Sequence, residues 1–152
     1  MVIFVSADVV YAPGELRAVA YRDGRPWCEE TVRTTGEPER LVLEHEPKSQ
    51  ISTLKSQILD SRLHFLICRV VDSRGDTVPR TRIPVRIEVE GGEFVAADNG
   101  DESDMEWYRS PVRKVFNGLL SIIVRGSCRV RVSAPGLHSA ELALPIAIDS
   151  NR

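Results

Sequence analysis

The densest group of side chains that could do chemistry lies in residues 98–108, where carboxylates alternate with small polar residues. Its five acidic residues are Asp98, Asp101, Glu102, Asp104 and Glu106. Carboxylate oxygens are ligands that Ca²⁺ prefers, but the spacing does not match an EF-hand, in which a glycine follows three alternating oxygen ligands. We therefore predict a solvated acidic loop in which Asp98 or Asn99 caps a turn, with a cation site as the alternative.

Aromatic side chains next to these carboxylates offer a second kind of chemistry. Trp107 and Tyr108 could stack on a sugar, with carboxylates accepting hydroxyl protons, and Trp27, Tyr11 and Tyr21 form a second candidate group. Adjacent residues of a strand point to opposite faces, so Trp107 and Tyr108 can share a platform only in a loop. Packing in a core or an interface is the favoured interpretation, and a weak glycan contact is the alternative.

The basic residues are mostly arginines, 17 of 20, and several lie on polar strand faces. These are Arg80, Arg82, Arg86, Arg129 and Arg131. They could form a polyanion-binding stripe, but the formal charge of the chain is −2. We therefore predict a solvated face paired with carboxylates such as Glu88 and Glu90, and no nucleic-acid partner.

Histidine and cysteine are too scattered to predict a metal or redox centre. His45, His64 and His138 are far apart in the sequence, and no C-x-x-C pair occurs among Cys28, Cys68 and Cys128. Cys68 and Cys128 alternate in phase with apolar residues, so both are expected inside one sandwich. Free buried thiols are the favoured interpretation, with an inter-sheet disulfide in an oxidising compartment as the alternative. No catalytic triad, phosphate loop or cofactor motif is present in the sequence.

The elements that position these residues are predicted to be strands. Val and Ile number 28 against 12 Leu and 10 Ala, and nine Pro and ten Gly punctuate the chain. This composition is typical of short strands in an all-β fold. The length of 152 residues allows one domain or two small ones. No apolar run is long enough to span a membrane, and the first ten residues lack the basic start of a signal peptide, so neither is expected.

Two regions follow from the pattern of strands and turns. Residues 1–46 contain about four strands, including Leu41–Leu43, with Asp23-Gly24 as a hairpin turn, and should form a partial immunoglobulin-like sheet. Residues 46–61 are interpreted as a linker, with a short helix as the alternative. Residues 47–152 continue into about seven strands, with a hairpin turn at Asn117-Gly118, which predicts an immunoglobulin-like β-sandwich.

Several short motifs resemble accessory domains of family 2 glycoside hydrolases, chiefly β-galactosidases. The first region supplies Tyr11–Tyr21, Asp23-Gly24 and Val32–Pro38, which resemble the latter part of an immunoglobulin-like domain. The second supplies motifs similar to the C-terminal, immunoglobulin/invasin-like sandwich. These are Val70–Asp72, Gly75, Val78-Pro79, Asp98–Asp101, Phe116–Leu119, Ala134 and Gly136-Leu137. The resemblance implies that the chain begins within the first of these two domains.

This resemblance implies a function without catalysis in the chain itself. Family 2 enzymes resemble other retaining glycosidases in using two glutamates on a (β/α)₈ barrel of about 250 residues, and no segment here resembles their catalytic motifs. We therefore expect a structural portion of a β-galactosidase-like hydrolase, packed on the catalytic barrel or on a second copy of the chain. A stand-alone carbohydrate-binding module and an adhesion-type spacer are the alternatives. The compartment is left open, and a periplasmic or secreted parent is compatible with the family.

Overall fold

The structure is a computed structural model, and it describes residues 10–46 and 63–145. Within these two ranges the regular elements are all strands. They are β1 (Glu15–Arg22), β2 (Arg25–Arg33), β3 (Arg40–His45), β4 (Leu63–Val71), β5 (Pro84–Glu90), β6 (Glu93–Asp98), β7 (Val112–Lys114), β8 (Leu119–Arg125), β9 (Cys128–Ser133) and β10 (Ala140–Leu144). The all-β prediction is confirmed. The strand predicted at residues 2–10 and the linker at 46–61 fall almost wholly outside the described residues.

The chain divides into two compact units, Met1–Thr34 and Thr35–Arg152. The first unit contains an antiparallel hairpin of β1 and β2. Asp23 and Gly24 both have positive φ, 52° and 75°, as the predicted two-residue turn requires. One face of the hairpin carries the ion pairs of Arg17 with Glu29 and of Arg33 with Glu15. The other face carries apolar pairs such as Leu16 opposite Val32.

The second unit is a sandwich of two four-stranded sheets. Their strand orders are β10-β9-β5-β7 and β3-β4-β8-β6, and every pairing is antiparallel. Side chains alternate along each strand, and the inward set forms one core. Residues with no exposed surface include Leu66, Cys68, Val70, Val85, Leu120, Ile122, Val124, Val130 and Val132. The seven strands predicted after residue 62 are all present.

Strand β3 belongs to the sandwich, whereas the sequence places Leu41–Leu43 with the first sheet. It pairs along its whole length with β4, from Arg40 opposite Val71 to His45 opposite Leu66. Leu41 and Leu43 are buried in the core, so the strand supplies an edge of the second unit. The division between the compact units therefore falls at Thr34 and Thr35, upstream of the expected boundary at residue 46.

The turn at Asn117-Gly118 forms as predicted, but it connects the two sheets. Both residues have positive φ, 51° and 78°, and Phe116 pairs with Leu119 across the turn. After this single pair the chain separates, since β7 joins β5 while β8 lies between β4 and β6. The signal for a tight turn was correct, but core packing assigns the flanking strands to opposite layers.

Candidate functional site

The acidic segment forms the connection between β6 and β7, and therefore between the two sheets. We call residues 99–111 the acidic loop. The C-terminal part of its backbone is bonded to both sheets, because Ala97 N–H of β6 donates to the Tyr108 carbonyl and Ile87 N–H of β5 donates to the Pro111 carbonyl, each at 2.8 Å. The segment is thus a fixed loop on the sandwich, as the solvated-loop interpretation expected.

The side chain of Arg113, from β7, reaches into this loop, and it was not singled out from the sequence. Its side chain is only 2% exposed. Its Nη1 donates to the Glu106 carbonyl at 3.0 Å, and its Nε lies 3.3 Å from Asp104 Oδ2. Its Nη2 lies 3.6 Å from Asp98 Oδ1, and its guanidinium carbon lies 5.0 Å from the centre of the Tyr108 ring. One buried cation therefore contacts both ends of the loop.

Asp104 is held by several donors within the loop. It accepts hydrogen bonds from Glu106 N–H at 2.9 Å and from the Asn99 amide at 2.7 Å. Asn99 also donates to the Lys114 carbonyl, which joins the loop to β7. The Glu106 bond, the Asn99 bond and the charge of Arg113 together hold the pKa of Asp104 below its ordinary value, against the opposing effect of partial burial.

Asp101 is held by Ser103 and by a second arginine. It accepts hydrogen bonds from the Ser103 hydroxyl at 2.7 Å and the Ser103 N–H at 3.0 Å, and these lower its pKa most. Arg82 adds an ion pair at 3.0 Å, and its guanidinium lies over the Phe116 ring at 5.0 Å. Arg82, assigned from sequence to a solvated face, thus anchors the acidic loop.

This arrangement leaves little for a calcium ion to bind. Arg113 and Arg82 supply the positive charge next to Asp104 and Asp101. The Oδ1 atoms of these two aspartates also accept N–H hydrogen bonds within the loop. Glu102 and Glu106 are exposed at the surface. Across residues 10–46 and 63–145, no three His, Cys, Asp or Glu side chains are grouped so that they could hold a metal ion.

The aromatic candidates are exposed. Trp107 is 69% exposed and Tyr108 is 58% exposed, although Tyr108 also contacts Arg113. Both lie in the acidic loop, which is the condition for a shared platform. Trp27, Tyr11 and Tyr21 are exposed as well, in and before the hairpin of the first unit. The core part of the predicted core or interface packing is wrong for these rings within the described residues, because none of them lies in an inward strand position of the sandwich. Packing in an interface stays a prediction.

Arg129 and Arg131 lie among carboxylates on the outer face of the sheet β10-β9-β5-β7. The expected strand position is wrong for Arg80 and Arg82, which precede β5, and Arg86 of β5 is paired with Val112 and Ser133. The register places Arg129 opposite Glu90 and Arg131 opposite both Glu88 and Glu141. Arg129 also forms an ion pair with Glu141 at 3.4 Å. This alternation of charge matches the predicted mixed face.

A buried carboxylate, Asp72, ties the entry of the sandwich to the turn after β4. It is 1% exposed and accepts hydrogen bonds from the N–H groups of Gly36, Arg74 and Asp76 at 2.8, 2.9 and 3.0 Å. The Gly36 bond makes the largest contribution to lowering its pKa. Asp72, in the motif Val70–Asp72, therefore has a structural role. Its carboxylate accepts hydrogen bonds from backbone N–H groups in place of backbone carbonyls.

The cysteines and histidines are arranged in ways the sequence only partly predicts. Cys68 and Cys128 are buried in one core and free, and burial raises the pKa of Cys68 to about 12. Cys28 is free and exposed.

His45 and His64, far apart in the sequence, lie side by side, with Nε2 of His45 at 3.4 Å from Nδ1 of His64.

A groove of about 320 Å³ lies on the same sheet as the mixed charged face, and it contains no carboxylate. Its lining residues are Pro84, Arg86, Val112, Ser133, Ala134 and Pro135. A retaining glycosidase needs two facing carboxyl groups about 5–5.5 Å apart, which this groove does not supply. In the described part of the chain, no helix has the length and hydropathy of a membrane span.

The sequence of the sandwich matches a known family of domains. The family described as glycoside hydrolase family 2 C-terminal domain 5 matches residues 51–143. The β-galactosidase BoGH2A of Bacteroides ovatus is 26% identical over an aligned length of 148 residues. The match covers 93% of this chain and 17% of that enzyme. The chain therefore spans about a sixth of the length of this curated relative.

Solved structures share the fold. A glycosyl hydrolase family 2 member from Bacteroides cellulosilyticus superposes with a TM-score of 0.75 at 22% identity, covering 89% of this chain and 19% of that one. A β-glycosidase from Bacteroides vulgatus gives a TM-score of 0.76 at 18% identity, covering 90% and 18%. At this identity the likeness concerns the fold, and it agrees with the immunoglobulin-like sandwich.

Proposed function

Because this chain belongs to the glycoside hydrolase family 2 C-terminal domain 5 family, we propose that it is a non-catalytic structural portion of a β-galactosidase-like hydrolase. The observation that carries this proposal is the state of the acidic loop. Its central carboxylates, Asp101 and Asp104, are held by Arg82 and Arg113 and by hydrogen bonds within the loop. Carboxylates held in this way stabilise a loop, whereas a retaining mechanism needs one of its pair to be protonated near neutral pH.

An activity assay tests this proposal directly. We expect the purified 152-residue chain to hydrolyse nitrophenyl β-galactoside no faster than a buffer blank. A family 2 β-galactosidase assayed in parallel controls for the substrate and the conditions. Turnover above the blank that co-purifies with the chain, and that is lost in Asp101→Asn or Asp104→Asn variants that still fold, would overturn the non-catalytic proposal.

The hairpin indicates that the structural function involves a partner. A two-stranded hairpin is marginally stable by itself in water. Leu16 and Val32 face each other on its apolar side, and both are exposed. We propose that this face packs on the rest of a longer hydrolase, including its catalytic barrel, with a second copy of the chain as the competing partner.

Sedimentation velocity separates the two partners. If the apolar face of the hairpin packs on the parent hydrolase, the isolated chain remains a monomer at about 100 μM. The Leu16→Lys variant then sediments as the wild-type chain does. If the wild-type chain is a dimer and the Leu16→Lys variant is a monomer, the partner is a second copy of the chain. This result would overturn the proposal that the face packs on the parent hydrolase. An open reading frame that continues upstream of the Met1 codon into a barrel would support the parentage independently.

Carbohydrate binding is a second candidate function, favoured by the exposure of Trp107 beside Tyr108 in the acidic loop. Aromatic faces at the surface are suited to stacking on sugar rings. Calorimetric titration with galactosides should then give millimolar binding that Trp107→Ala abolishes. Met105→Ala is the matched control, since Met105 is exposed in the same loop but has no aromatic ring. No heat of binding at millimolar sugar would eliminate this candidate.

A further inference from the structure

Two histidines continue the inward-facing side of neighbouring strands at one end of the sandwich. On β3 the inward positions run Leu41, Leu43 and then His45, and His45 is paired with Leu66 of β4. His64 lies two residues before Leu66, and therefore on the same side of the sheet. The two rings are a diagonal cross-strand pair, and such pairs are within reach of each other when the side chains are long or aromatic.

The rings face each other through single nitrogens. Nε2 of His45 and Nδ1 of His64 are 3.4 Å apart, the ring centres are 5.6 Å apart and the ring planes cross at 84°. Two nitrogens bound to one tetrahedral zinc at about 2.0–2.1 Å would be about 3.3–3.4 Å apart. The observed separation of the two nitrogens is therefore that of two ligands of one metal ion.

The outer hydrogen bonds of the rings favour the same arrangement. Nδ1 of His45 lies 3.3 Å from the Glu46 carbonyl, which can only accept, so this nitrogen carries the proton in that contact. Nε2 of His45 is then the unprotonated nitrogen, and its lone pair is directed at His64. The His64 ring is also hydrogen-bonded to the backbone of Gly126. Backbone carbonyls commonly orient metal-binding imidazoles in this way.

We propose that His45 and His64 form a binding site for a divalent transition metal, of which Zn²⁺ is the representative. Imidazole is a preferred ligand of Zn²⁺, Cu²⁺ and Ni²⁺, whereas Mg²⁺ and Ca²⁺ prefer oxygen. The protein supplies two ligands and water fills the other positions, so the site is weaker than a four-ligand structural zinc site. A bound ion joins the end of β3 to the beginning of β4.

Zinc titration of the untagged 152-residue chain tests the site. We expect calorimetry with ZnCl₂ at pH 7.5 to show one saturable site per chain, and Mg²⁺ to show none. His45→Gln and His64→Gln should each weaken zinc binding by about tenfold or more. His138→Gln is the control, because it removes the third histidine of the chain and should leave the affinity unchanged.

A second measurement keeps the test independent of folding defects in the variants. In the NMR spectrum of the wild-type chain, the ring protons of His45 and His64 should shift together on zinc addition, while those of His138 stay in place. Zinc should also raise the Tm of the wild-type chain, since a ligand that binds only the native state stabilises it. No saturable binding up to about 1 mM zinc, or equal binding in the His45→Gln/His64→Gln double variant, would overturn the proposal.

Discussion

The guanidinium of Arg113 donates to the backbone carbonyl of Glu106 at 3.0 Å, from a side chain that is almost fully buried. This bond links the start of β7 to the middle of the acidic loop. The same guanidinium lies beside Asp104 of the loop and Asp98 of β6, so an arginine of the same chain supplies positive charge next to these two carboxylates.

Replacing Arg113 with Met should therefore destabilise the sandwich. The variant leaves the Glu106 carbonyl and nearby carboxylates without their buried donor, and a hydrogen bond to a charged group contributes about 1.5–3 kcal/mol. We expect the free energy of unfolding in urea to fall by this amount. Arg129→Met is the matched control, because Arg129 is exposed and its ion pair with Glu141 should contribute less than about 1 kcal/mol. Equal losses in both variants would contradict a central role for Arg113.

The close approach of Gly118 to the Val78 carbonyl gives a second prediction. A Cβ at Gly118 would lie 2.5 Å from the Val78 carbonyl oxygen, and the residue has φ of +78°. Gly100 has a similar φ of +72° but nothing within 4 Å of the added atom. Gly100→Ala should cost about 1–2 kcal/mol for the left-handed backbone alone. Gly118→Ala should cost clearly more, and thermal unfolding of the two variants in parallel checks the difference.

The stability of the protein should fall in acid. The folded-state pKa values of Asp72, Asp101 and Asp104 are below their ordinary values. Their contribution is therefore fully present above the unfolded-state value of about 4, and it is lost as the pH falls through the lower folded-state values. Urea unfolding between pH 6 and pH 2.5 should show this decline.

Asp72→Asn should reduce both the stability at pH 7 and its decline in acid. Both carboxylate oxygens of Asp72 accept hydrogen bonds, one from the Gly36 N–H and the other from the N–H groups of Arg74 and Asp76. The amide of Asn has a single acceptor oxygen, so its NH2 group would face at least one of these donors. Glu141→Gln removes a carboxylate from the exposed outer face and serves as the control. A decline in acid that is identical in wild type and Asp72→Asn would show that Asp72 does not contribute to it.

The three cysteines should differ sharply in reactivity. The thiolate is the reactive form, and burial raises the pKa of Cys68 to about 12 and also raises that of Cys128. With Ellman's reagent at pH 8, one thiol per native chain should react quickly, and three after unfolding. Cys28→Ser should remove the fast reaction. Two fast thiols in the native chain, or a mass two units lower from a disulfide, would contradict the free buried pair.

Local patterns predicted much of this fold because they depend on neighbours in sequence. Alternation along residues 66–70 and 128–132 gave inward faces, and the Asp23-Gly24 and Asn117-Gly118 pairs gave turns with positive φ. The acidic segment was correctly expected to be a loop. Arg113 was missed, although it lies in phase with the buried Val115 and so occupies an inward position. An arginine at an inward strand position is the feature of the sequence that could have identified Arg113 as a buried, partnered side chain.

The sequence by itself determined that this protein is built from short strands, and which side of most strands is apolar, because side-chain alternation is a property of the strand alone. Only the tertiary structure decided which strands share a sheet, so that β3 joined β4 and the two strands beside Asn117-Gly118 separated. It also decided which distant side chains meet, as Asp72 does with Gly36 and His45 with His64. Such contacts depend on the register between strands, and register is set by how the two layers pack around the whole core.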